Sequence, residues 1–204
     1  MNALGKLFGG LTILLMPLNM IGGIVAGIWL AILGEWGTIF RGLVALFLGG
    51  FAISIAMMPG LLLAAPAIAL QSKNNLAGFY FFSLLSMLYT YAVLTAWCIL
   101  MLIYFANRAD SDSVIPTMLW AYGAATGPIA YLAQKDLQSG NEHAGIATFF
   151  TQIAFVVSVL AAFILDPSLF SIIAIFSAIM LIGLVLQLAI AVSVDKAQRL
   201  YGRI

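Results

Sequence analysis

Residues 39–70 read IFRGLVALFLGGFAISIAMMPGLLLAAPAIAL, with a single charged side chain, Arg41, close to the start. A run this apolar needs only ~20 residues to cross a ~30 Å hydrocarbon layer. As one straight helix it would reach about 50 Å, so tilt, a kink or an interfacial turn must absorb the excess. The interruptions are present: Met57-Met58-Pro59-Gly60, then Ala65-Pro66. Proline removes a backbone donor and crowds the preceding turn. The expectation is therefore a kinked stretch, or one broken into a spanning helix and a shorter interfacial helix.

Five further stretches have the same texture, at 7–33, 76–106, 114–133, 144–165 and 168–194. They are apolar on every side and lack the strict alternation of barrel strands. Helices also satisfy their backbone groups internally, which hydrocarbon demands. Across all 204 residues, 64% are hydrophobic and 7% charged, against roughly 25% charged in a soluble domain. A soluble fold would need a polar exterior that this composition cannot supply. The sequence thus predicts an all-α fold: one polytopic transmembrane bundle over 1–204, with about six spanning helices. Near the N-terminus, Lys6 precedes the apolar Leu7–Met16, but no small-x-small boundary follows and the run continues past Pro17 to Leu33. It reads as the first span rather than as a signal peptide.

The basic residues orient the bundle. With both termini cytoplasmic, Lys6, Lys73, Lys135, Lys196, Arg199 and Arg203 lie inside, and only Arg41 and Arg108 lie outside. That asymmetry is the one the positive-inside rule favours, in a cytoplasmic (inner) membrane. Trp29, Trp36 and Tyr104 fall near outer ends, and Tyr80, Tyr131 and Tyr201 near inner ends. These rings suit the headgroup level.

Several function classes are excluded. A net charge of +1 leaves no footprint for nucleic acid. The lone Cys98, inside an apolar run, excludes a disulfide framework and reads as a buried thiol. Asp110 and Asp112 have the spacing that opens a calcium loop, without its glycine and distal glutamate. Glu142 and His143 are adjacent, with no second histidine to complete a zinc set. Both loops read as solvated connections, with Asn141 capping the fifth segment. No nucleotide, phosphate-loop, nucleophile-elbow or haem motif occurs, so no cofactor is expected and no metal is assigned.

What remains is uncharged. Every Asp, Glu, Lys and Arg, and the one His, maps to a boundary or connection. Proton-coupled transport through a buried carboxylate is thereby disfavoured, as is hydrolysis by paired acids. The candidates for a polar interior are Pro17, Asn19, Pro59, Thr126, Thr148, Gln152 and Gln187. A proline frees a carbonyl, and Asn19 both donates and accepts. Thr148, Thr151 and Gln152 stand at i, i+3 and i+4, on one helix face. Gln152 and Gln187 are costly in lipid unless bonded, which directs them into the bundle. Gly23 with Gly27, and Gly123 with Gly127, have the spacing that permits close helix packing. They serve packing within the chain, or contact with a second copy or another membrane protein. A three-plus-three inverted repeat is faint: Pro17 and Pro128 correspond, but Pro59 has no counterpart in the fifth segment.

The function expected from this pattern is passage of an ion or small solute. The alternatives are a scaffold or regulatory membrane subunit and, behind it, a lipid-modifying enzyme. The lipid bilayer is the partner that composition implies.

Overall fold

The computed structural model describes residues 3–72, 75–109, 112–138, 142–165 and 168–201. They form α1 (Ala3–Ile32), α2 (Trp36–Ser72), α3 (Leu76–Ala106), α4 (Val114–Gln138), α5 (Glu142–Leu165) and α6 (Leu169–Tyr201), with no strand among them. Four helices are long and apolar enough to cross a membrane, over Gly10–Ile32, Trp36–Ala67, Ala77–Ala106 and Phe170–Ala189, while α5 carries a shorter apolar run, Ile146–Ala161.

Of the two expectations for the second segment, a kink or a break, the break does not occur. α2 is one helix through both Pro59 and Pro66, and α1 is likewise continuous through Pro17. A physical reason lies in α3. The Tyr89 hydroxyl donates to the Ala56 carbonyl and the Ser86 hydroxyl to the Gly60 carbonyl, both at 2.9 Å. The turn around Pro59, whose missing N–H leaves the Ile55 carbonyl without its usual helical donor, is thus tied to a neighbouring helix at the adjacent Ala56 and Gly60 carbonyls.

Local sequence sets the turns. Gly34, at φ 78°, ends α1. Its N–H donates to the Ala31 carbonyl (3.1 Å) and the Glu35 N–H to Leu30 (2.8 Å), the paired closure that a left-handed glycine allows. Glu35 then accepts from Thr38 Oγ1 at 3.1 Å as α2 begins. Asn75 caps α3 by accepting from the Gly78 N–H. At the other end Arg108 donates to the Tyr104 carbonyl (3.1 Å) and stacks 4.0 Å from the Tyr104 ring centre.

α4 is the axle of the bundle. It packs against α1, α2, α3 and α5, while the outer helices follow one another in the order α1, α2, α3, α6, α5. This placement explains its composition. Thr117, Ala121, Ala124, Ala125 and Thr126 are buried on α4, whereas α2 turns Phe40, Phe47, Leu48, Phe51 and Leu62 outward. A helix enclosed by others needs small residues and tolerates hydroxyls; a peripheral one needs an apolar outer face.

Rings set against glycines key the helices together. The Trp120 indole of α4 covers Gly42 of α2 and approaches Gly27 of α1, where a β-carbon would stand 3.2 Å from it. Its Nε1 donates to the Ile39 carbonyl at 3.3 Å. Trp97 of α3 lies over Gly49 and donates to the Ala125 carbonyl at 3.0 Å, and Phe150 of α5 lies over Gly183 of α6.

Candidate functional site

Most of the buried polar side chains lie on α4, α5 and α6. α5 supplies Thr148, Thr151, Gln152 and Ser158, α4 supplies Thr117 and Thr126, and α6 supplies Gln187. Gln152 is 0% exposed, as are Thr151 and Ser158. The α5 spacing produces this, because 148, 151, 152, 155 and 158–159 recur on one face of a 3.6-residue helix. Phe155 and Val159 are the apolar members of that face and are buried with it.

Ring contacts set the register of the helices. Tyr122 of α4 meets Phe155 of α5 at 5.4 Å between ring centres, and Phe155 meets Phe176 of α6 at 6.4 Å. The Tyr122 hydroxyl also lies near the Asn19 side chain of α1 and the Cys98 thiol of α3, without a hydrogen bond to Asn19 Nδ2. α4 and α5 are consecutive packed helices and run antiparallel. At ~1.5 Å per residue, Thr148 to Ser158 covers about 15 Å of depth. Thr126, one turn from Tyr122 on the same face of α4, lies on the Gln152 side of the Tyr122–Phe155 contact, whereas Thr117 stands on the opposite face of α4 from Thr126. Thr126 and Tyr122 of α4 and the α5 face of Gln152, Phe155 and Ser158 thus form a polar seam between the two helices, with Asn19 of α1 near Tyr122.

Hydrogen bonding along the seam is incomplete. Thr126 donates to the Tyr122 carbonyl and Thr151 to the Ala147 carbonyl, each at 2.8 Å within its own helix. Their oxygens keep lone pairs for another donor. The buried Nδ2 of Asn19, both Nε2 and Oε1 of Gln152, Oγ1 of Thr117 and Oγ of Ser158 have no hydrogen-bond partner.

The other candidates fall outside the seam. Pro17 and Pro59 are exposed on the outer surfaces of their helices. Gly27 and Gly127 take the Trp120 ring and the Leu46 side chain, whereas a β-carbon at Gly23 or Gly123 would meet nothing within 4 Å. Each glycine pair is thus split between a packed and an open position. Asp110, Ser111 and Asn141 lie outside the described residues, as do the side chains of Lys135, Asp136, Glu142 and His143. Among the described residues no cluster of three metal-ligating side chains occurs. Charged side chains described there, Glu35, Arg41, Arg108 and Asp112, sit at the α1–α2 and α3–α4 ends.

Sequence reading did not single out Tyr91, which is buried with an unpartnered hydroxyl. Tyr89, two residues earlier in the same apolar run, clamps Ala56 instead. Nothing local distinguishes the two; their different faces do. Next to Tyr91, a groove of about 370 Å³ between α3 and α6 opens outward past Thr95, Ile99, Ser177 and Leu184.

Compared with known proteins, the chain matches no family model, no curated protein and no solved structure.

Proposed function

We propose that the chain is a membrane transporter or channel that moves a small ion or solute along the seam beside α4. In this reading all six helices cross the membrane, both termini are cytoplasmic, and the membrane is the cytoplasmic one. The least apolar helix, α4, crosses as the inner helix, which needs less apolar surface because other helices shield it, and α5 crosses with the shorter apolar run Ile146–Ala161.

One observation carries the reading. Gln152 is wholly buried, yet neither of its amide atoms has a hydrogen-bond partner. An unsatisfied buried polar group costs about 1–3 kcal/mol, and a sealed bundle has a cheap apolar alternative in leucine. A polar group kept at that cost is explained by something polar that passes it. Because the seam carries no carboxylate among the described residues, the reading is of passage not coupled to protons through a buried acid.

Reconstitution of the purified chain alone tests it, with flux measured for Na⁺, K⁺, Mg²⁺, chloride and small neutral solutes. Flux above empty liposomes that disappears in Asn19→Leu or Gln152→Leu is the expected result. Silence across the whole panel overturns the reading in favour of a scaffold.

A further inference from the structure

The unpartnered groups of the seam differ in kind, and the difference bears on what passes. Asn19 Nδ2 and Gln152 Nε2 only donate, Gln152 Oε1 only accepts, and the Ser158 hydroxyl does both. A bare cation requires a ring of acceptors, and amide N–H groups facing it repel it. An anion requires donors, and is repelled by Gln152 Oε1. Neither finds a countercharge among the described residues, whose buried polar members are all uncharged, and carrying an unpaired ion into a low-dielectric interior is expensive.

We infer that the seam of Asn19, Gln152 and Ser158 takes small uncharged molecules that both donate and accept hydrogen bonds: water, or a small polyol or urea-type solute. The inference rests on the transport reading and narrows it to a substrate class. It does not depend on which way the Gln152 amide is turned. Exchanging the oxygen and nitrogen of Gln152 leaves one free donor and one free acceptor, because both atoms lack partners. The steps along α5 also suit such a molecule. Gln152 and Ser158 are separated by about 9 Å of helix rise, and the Thr151 oxygen, its proton engaged by Ala147, adds an acceptor to the face. A solute that exchanges donor for acceptor partners as it moves never loses all of its hydrogen bonds at once, so no step pays the full cost of desolvation.

The test uses the full chain in proteoliposomes, with osmotic shrinkage recorded by stopped-flow scattering for water, glycerol and urea. K⁺ and chloride fluxes are read by dyes in the same vesicles. Expected is permeability to at least one neutral species several-fold above empty vesicles, with ion flux at background. The neutral flux falls to background in Gln152→Leu and is retained in part in Gln152→Asn, which keeps a donor and an acceptor. Ion flux without neutral flux overturns the inference and leaves the transport reading standing. No flux of any species overturns both. If Gln152→Leu fails to assemble, the wild-type comparison of neutral and ionic flux still decides.

Discussion

At Gly42 the backbone of α2 lies against the Trp120 indole, and a β-carbon there would fall within the ring. At Gly23 of α1 the same added carbon would meet nothing within 4 Å. Overpacking of this kind costs about 1–3 kcal/mol, so Gly42→Ala lowers the melting temperature in detergent while Gly23→Ala leaves it near wild type. Equal effects at the two positions would contradict the packing of Trp120. Gln152 gives a prediction of opposite sign. Removing an amide whose two polar atoms are both unsatisfied relieves a penalty of about 1–3 kcal/mol, so Gln152→Leu is at least as stable as wild type to thermal unfolding, whatever it does to flux. A marked loss of stability would mean that the amide is bonded within the bundle. Burial of Gln152 and Gln187 was legible from sequence, because an amide in hydrocarbon has to turn inward. Their bonding was not, since that depends on which atoms the facing helices bring to them.

On the element scale, α3 acts as the clamp of the bundle. Its Tyr89 reaches the carbonyl of Ala56, three residues before Pro59, and its Trp97 that of Ala125, three residues before Pro128. Two helices weakened by proline are therefore braced by donors from a third, which itself contains no proline. A typical hydrogen bond contributes about 0.5–1.5 kcal/mol net. Tyr89→Phe keeps the ring and deletes only the hydroxyl, so it should lower stability by roughly that amount. Adding Ser86→Ala, which releases the Gly60 carbonyl, should lower it further, as followed by thermal unfolding in detergent. If both variants melt like wild type, the prolines need no brace. The prolines themselves were plain in the sequence, and so was the need for some accommodation. Continuity of α2 was not, because the donors that supply its carbonyls come from positions 26 and 33 residues further along the chain.

For the whole molecule, an enclosed α4 with five helices outside it accounts for a chain whose least apolar segment is also its most surrounded. The proposed topology is tested by cysteine labelling. Thiols introduced at Ser72 and Ser139 react with probes applied from the cytoplasmic side, and one at Ser111 with probes applied from outside. The native Cys98 is wholly buried and adds little background. Labelling of Ser139 and Ser111 from one side would overturn the six-span arrangement. By itself the sequence determined that the chain is helical, that its segments are membrane-like and that its described charges lie at helix ends; apolar composition and period act locally and need no partner. Only the tertiary structure decided which member of each glycine pair takes a side chain, that Pro17 and Pro59 face outward, and that Asn19 lies near Tyr122, which meets Phe155 on the Gln152 face of α5. Those outcomes depend on the rotation and register of one helix against another, set by where rings such as Trp120 and Phe155 find a small neighbour or a facing ring.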